Sequence, residues 1–191
     1  MPLLNAAIVP HSPILIPEIG KINQQILDKT VKAYQSLADE LQGNDIETII
    51  IISPHGQVQT DRFTVNLGPE MMIDLSTFGF LGANRKFTSD LDFIDHLKNT
   101  EGTEIQLISN PKLDYGSSIP LYLLTASMPD VKIVSLGYAS ELDLAEHFAL
   151  GERLNQVIKQ SARRIAIIAS GDLSSRLKKN SPSGYSPKGA K

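Results

Sequence analysis

The sequence predicts an α/β layered sandwich in which a central mixed β-sheet is flanked by helices. Three observations predict it. Apolar strand-like runs alternate with amphipathic helical stretches along most of the chain. Residues 46–52 end in four consecutive isoleucines, the pattern of a central strand buried on both faces. Two of the runs lead straight into histidine turns, Pro10-His11-Ser12-Pro13 and Ser53-Pro54-His55-Gly56. Strand carboxyl ends in an open α/β sheet face the crevice where ligands bind.

Residues 4–9 read as the first buried strand, followed by a loop stiffened by Pro10, Pro13 and Pro17. Residues 22–41 read as a helix with Ile22, Ile26, Tyr34, Leu37, Ala38 and Leu41 on one side. Gly43-Asn44-Asp45 is expected to end it, because Gly and Asn tolerate the left-handed cap conformation. Residues 62–67 alternate and read as a strand, as do 71–75, whereas Gly79, Gly82 and Asn84 mark loop. Residues 89–97 form a short helix with Ser89 as its N-cap. Residues 104–108 form a strand. Ser117 or Ser118 caps a helix through Leu124, with Pro120 in its first turn. Residues 131–136 and 164–169 are further strands. Between them lies a long helix over 141–162, carrying Leu144, Phe148, Leu154, Val157 and Ile158 on one side. Residues 1–179 are expected to form one domain, C-terminally incomplete, and 180–191 a loop-like tail. Such a domain is expected to expose apolar surface beside its last strand, for a partner or dimer mate to cover.

Composition narrows the function classes. The chain has 191 residues, 41% hydrophobic and 20% charged, as in an ordinary soluble domain. It contains no cysteine, which excludes disulfides, thiolate ligands and a cysteine nucleophile, and fits a cytoplasmic setting. A net charge of -3 gives no sign of a nucleic-acid partner. The pairs Arg163-Arg164 and Lys178-Lys179 read as solvated surface. No apolar run approaches membrane-spanning length, and no signal peptide is recognisable. Walker and dinucleotide-binding glycine spacings are absent, as is Gly-x-Ser-x-Gly.

What remains is the pair of histidine turns. Each alone reads as an ordinary turn histidine. Two at the same sheet edge make a plausible start for a metal site, because neutral imidazoles suit Fe(II) and Zn(II). Two histidines plus one carboxylate is a ligand set of non-haem Fe(II) oxygenases. Glu18, Asp114 and Asp172 are carboxylates in loop positions, and none carries a specific signal as the third ligand. Asp114 and Asp172 also read as turn and cap residues. His96 and His147 fall inside amphipathic helices and read as surface or boundary residues.

The loops taken in order carry a resemblance. Pro10-His11-Ser12-Pro13-Ile14-Leu15, Ser53-Pro54-His55-Gly56, Leu113-Asp114-Tyr115-Gly116 with Pro120-Leu121, and Ser170-Gly171-Asp172-Leu173-Ser174 with Gly184-Tyr185-Ser186-Pro187-Lys188-Gly189 resemble the motifs of class III extradiol ring-cleavage dioxygenases. This LigB-like superfamily also holds Memo-like proteins. The likeness is strongest to the LigB-like domain associated with AmmeMemoRadiSam system proteins. The resemblance implies Fe(II) held by His11 and His55, with a glutamate further along as third ligand and a small aromatic diol plus O2 as substrates. It implies Tyr115 and Ser175 at the positions of the family's two other active-site histidines, with Asp114 and Asp172 beside the substrate. A phenol, of ordinary pKa about 10, shuttles protons poorly near neutrality, and serine needs a partner to act as a base. The chain also ends before the region of the ligand glutamate. The implied alternatives are therefore an extradiol-type oxidoreductase, or a catalytically degenerate domain that binds a small molecule or protein with Zn(II) or no metal. A homodimer or a fused or separate AmmeMemoRadiSam protein is the expected macromolecular partner.

Overall fold

The computed structural model describes residues 2–100, 104–171, 174, 176–180 and 184–189. Its centre is a mixed six-stranded sheet in the order β1-β8-β2-β7-β3-β6. These strands are β1 (Leu3–Val9), β2 (Thr48–Ser53), β3 (Phe63–Asn66), β6 (Ile105–Ile108), β7 (Lys132–Gly137) and β8 (Ile165–Ser170). β1, β8, β2 and β7 run parallel; β3 runs antiparallel to β7, and β6 runs parallel to β3. A separate antiparallel pair joins β4 (Glu70–Met72) to β5 (Lys86–Thr88).

The isoleucine run explains the centre. Side chains alternate between the faces of a strand. Ile49 and Ile51 enter one core with Tyr34 and Leu41 of α2 (Asp28–Gly43) and Ile119, Leu121 and Leu124 of α4 (Tyr115–Leu124). Ile50 enters the opposite core with Phe93, Ile94 and Leu97 of α3 (Leu91–Asn99) and Leu150, Leu154, Val157 and Ile158 of α5 (Leu144–Gln160). β2 is therefore buried on both faces, as expected. β1 is an edge strand whose Asn5, Ala7 and Val9 turn toward the α2 layer; Leu4 and Ile8 on its other face are exposed.

Several local expectations are corrected. The stretch 22–41 is not one helix. A short helix α1 (Pro17–Gly20) leads into a 3-10 segment, Lys21–Leu27, and regular α-helix begins only at Asp28. Ile22 and Ile26 consequently lie exposed. Lys21 adopts a left-handed φ of 48°, and the register of the apolar stripe changes where the 3-10 segment passes into α-helix at Leu27 and Asp28. At the other end of α2 the left-handed residue is Asp45, also at φ 48°, and neither Gly43 nor Asn44. The N-cap of α3 is Asp90, which accepts from the Phe93 amide, while Ser89 donates to the Gly68 carbonyl. Residues 86–88, assigned no element from sequence, form β5, which pairs with β4 over three residues. Leu144 and Phe148 are exposed: the first turn of α5 meets the core through His147, edge-on to Phe63, and Phe148 lies on the helix face opposite buried Leu150 and Val157. Arg163 is not a freely solvated charge: its Nε lies 3.1 Å from Oδ2 of fully buried Asp90.

Asp90 ties three elements together below the sheet. It accepts from Thr48 Oγ1 at 2.6 Å, pairs with Arg163 and caps α3. Removing Asp90 leaves the buried Thr48 hydroxyl and the Phe93 amide without their acceptor, while Arg163 keeps Asp92 at 3.2 Å. Asp90→Ala is therefore expected to lower stability by about 1–3 kcal/mol, measured as a fall in the urea midpoint with little change in slope.

Candidate functional site

The parallel register brings three strand ends level. Val9 of β1 pairs with Ser170 of β8, and Ile52 of β2 pairs with Ala169 of β8. Two residues past β1 comes His11, and two past β2 comes His55. β8 lies between those strands, so both imidazoles reach over its end.

His11 is held from below. Its neighbour Pro10 offers its carbonyl to the Tyr34 hydroxyl of α2 at 2.5 Å. Burial pushes the Tyr34 phenol well above its ordinary pKa, so it stays a donor. Past His11 the chain turns through a 3-10 segment, Pro13–Leu15, closed by the Leu15 amide on the Ser12 carbonyl at 3.0 Å. The His11 ring is buried, and its Nδ1 lies 2.9 Å from Ser170 Oγ.

His55 is held from the side. Ser53 Oγ accepts from the His55 amide at 3.2 Å and donates to Asp114 Oδ1 at 2.5 Å. The same carboxylate caps α4, accepting from the Ser117 amide at 3.1 Å and the Ser117 hydroxyl at 2.8 Å. The α4 cap is thus Asp114, in keeping with its reading as a turn and cap residue, and not Ser117 or Ser118. Pro120 consequently falls in the second turn of α4, not the first.

The two rings meet edge to face, with centroids 4.7 Å apart, and Nε2 of His55 lies 2.9 Å from Nε2 of His11. Tyr115, the first residue of α4, stacks on His55 at 4.2 Å. Its hydroxyl is 3.1 Å from Nδ1 and 2.8 Å from Nε2 of that ring. An oxygen so close to both nitrogens would overlap Cε1 if it lay in the ring plane, so it sits over the ring face. Neither contact therefore runs along a ring-nitrogen lone pair. Phe78, carried on the β4–β5 connection, packs edge-on against Tyr115 at 5.5 Å.

Beside His55 opens a cleft of 260 Å³, whose wall includes Gln57, Thr64, Asn66, Asn110, Lys112 and Asp114. Asn66 braces it, donating to the Asn110 carbonyl at 2.8 Å and accepting from the Gly68 and Asn110 amides. Lys112 pairs with Asp74 at 2.7 Å. The Lys112 ammonium, with the hydroxyl and amide of Ser76, holds the Asp74 carboxyl down at about 2. That lowered value makes the pair's small, solvent-screened contribution present above the ordinary carboxyl range, near pH 4. It is lost as pH falls toward about 2.

Of the residues singled out in the sequence, His11, His55, Asp114 and Tyr115 converge at one sheet edge. Asp172 and Ser175 lie outside the described residues. The Glu18 carboxylate reaches the Tyr122 hydroxyl at 3.5 Å. Among the described residues, no group of three or more His, Asp or Glu side chains could hold a metal ion. Ser53 and Ser170 were assigned no role from sequence. Each ends a strand directly beside the histidine turns, and that position was the available signal.

An open α/β sandwich with two imidazoles converging at its parallel strand ends is the class that fold and site define. The family model for the catalytic LigB subunit of aromatic ring-opening dioxygenase matches residues 5–191, and the chain belongs to that family. Protein CA_C1420 of Clostridium acetobutylicum is 29% identical over 96% of this chain and 42% of its own length. The 3,4-dihydroxyphenylacetate 2,3-dioxygenase of Escherichia coli is 26% identical over 90% of this chain and 65% of its own length. The chain thus spans less than two thirds of either relative. The crystal structure of the uncharacterized protein JW3007 from Escherichia coli K12 shares the fold, with a TM-score of 0.55 and 19% identity. That likeness covers 76% of this chain and 53% of the other.

Gly116 is where α4 meets the histidine turn. A Cβ there would lie 2.5 Å from Ser53 Oγ and 3.1 Å from His55 Cδ2. Gly116→Ala is expected to cost about 1–3 kcal/mol as an overpacking change. It should also shift the His55 ring resonances in a proton–nitrogen NMR spectrum, and an unmoved His55 signal would contradict this contact.

Proposed function

We propose that this chain is the metal-binding, ring-opening type of LigB domain, with Fe(II) held between His11 and His55 and a catechol-type diol beside it. One observation carries the reading: the two Nε2 atoms face each other at 2.9 Å in a chain of this family. Two imidazole nitrogens this close would both be within reach of one bound ion. The donor set therefore fits a divalent cation of borderline softness. Bound there, Fe(II) supplies the electron-transfer chemistry that couples a diol to O2.

The chain's own residues supply the rest. The two imidazoles bind, His11 from a buried position and His55 from an exposed one. The 260 Å³ cleft beside His55 is smaller than sites for drug-sized ligands, roughly 300–1,000 Å³, and so suits a single-ring molecule. Its amides, hydroxyls and Lys112 offer hydrogen bonds to ring hydroxyls or a side-chain anion. Phe78 packs edge-on against the Tyr115 ring that stacks on His55. Tyr115 can donate a hydrogen bond from its hydroxyl, which suits it to orienting a ligand.

A second reading is favoured by the placement of Tyr115. Its ring covers His55 where the resemblance implies a histidine for proton transfer. On that reading the domain binds metal or a small molecule and turns over slowly or not at all.

Anaerobic Fe(II) titration by calorimetry separates these possibilities. The chain is expected to bind with micromolar or tighter affinity, and His11→Ala/His55→Ala to lose that binding. Ring opening of a catechol panel by the loaded protein supports the first reading. Binding without ring opening supports the second. Absence of binding by the unaltered chain would overturn the metal proposal.

A further inference from the structure

The hydrogen bonds around Ser170 have only one consistent direction. Pro120 lies inside α4 and has no amide hydrogen. The carbonyl four residues earlier, that of buried Gly116, therefore receives no helical hydrogen bond from position 120. Ser170, the last residue of β8, donates its hydroxyl to this Gly116 carbonyl at 2.5 Å. Two oxygens at that separation require a proton between them, and serine has one hydroxyl proton to give. The same Oγ lies 2.9 Å from His11 Nδ1. With its proton committed to Gly116, Ser170 can only accept from His11. The His11 proton must then sit on Nδ1, and the Nε2 lone pair points at His55.

We infer that Ser170 is a positioning residue that locks His11 into the Nδ1–H tautomer, and that the amide missing at Pro120 leaves the acceptor that orients Ser170. The inference deepens the proposed metal-binding reading and rests on it only for its functional consequence. A histidine can offer an in-plane lone pair to an ion from one nitrogen while the other donates, and that second bond sets ring orientation and basicity. Ser170 is buried, as is His11, so bulk water does not readily replace this bond. The device also joins three elements. The β8 end, the α4 second turn and the β1 turn share one chain of contacts, so a shift of α4 reaches the His11 ring through a single hydroxyl.

The test is nitrogen-15 NMR of the histidine-labelled full chain without metal, at pH about 8, where an ordinary imidazole is neutral. His11 is assigned by its absence from the His11→Ala spectrum. The unaltered chain is expected to show a protonated Nδ1 and an unprotonated Nε2. Ser170→Ala is expected to lose this preference, giving a mixture or the Nε2–H form, and to bind Zn(II) about 10- to 100-fold more weakly. Ser170→Thr keeps the hydroxyl and should restore both. A protonated Nε2 in the unaltered chain would overturn the inference, and that reading requires no variant to fold. An unchanged tautomer in a folded Ser170→Ala protein would overturn it equally. If the unaltered chain shows the expected tautomer and Ser170→Ala loses it while no metal binds either protein, the tautomer lock stands and the metal-binding reading fails.

Discussion

The candidate site depends on one constraint, the level parallel register of β1, β8 and β2. Adjacent strands lie about 4.7–4.9 Å apart, so histidines carried by β1 and β2 start about 9–10 Å from each other. They meet because both turns bend over the end of β8, where the side chain is a serine. A one-residue slip would turn every side chain to the opposite face and send Ser170 into the other core. The two apolar cores prevent that slip. Ile49 and Ile51 on one side of β2, and Ile50 on the other, have partners in different helix layers.

Within that frame, three side chains couple helices to strand ends. Tyr34 ties α2 to Pro10, Asp114 ties the start of α4 to Ser53, and Ser170 ties β8 to the α4 backbone. Each uses a charge-assisted or buried hydrogen bond, which is costly to leave half-made. His11 and His55 are thus fixed from different layers, and their geometry reflects packing on one face of the sheet rather than loop conformation alone. Asp90 performs the matching task at the opposite end of the strands. There it joins β2, α3 and the segment before β8 without touching the histidines.

The proposed function and the tautomer lock follow from the same arrangement. A metal-directed lone pair on His11 needs a fixed ring and a defined proton. Tyr34 and the proline turn address the first, and Ser170 with Pro120 addresses the second. His55 is more exposed and lies under Tyr115, so its side of the site can respond to a ligand in the neighbouring cleft. Gly116 permits this crowding, because its missing side chain leaves room for Ser53 and the edge of the His55 ring.

The sequence by itself determined the layered α/β class, the central strand and the two histidine turns, because these depend on local patterning that hydrophobic burial enforces. Most strands lie within a residue or two of their expected limits, and His11 and His55 stand out by residue type and position. It did not determine the helix starts. Ser89, Ser117 and Ser118 competed as caps with Asp90 and Asp114, and the choice was made by long-range partners, Arg163 for one and Ser53 for the other. Nor did it determine that Ile22, Ile26, Leu144 and Phe148 face outward, because a 3-10 segment shifts the first pair and α5 presents His147, Leu150 and Val157 to the core instead of the second pair. Pro120 shows the difference most clearly. In the sequence it reads as a first-turn proline and as part of one of the resembling motifs. In the tertiary structure the amide it lacks leaves a carbonyl for β8 to bond, and the direction of that one hydrogen bond decides where the His11 proton resides.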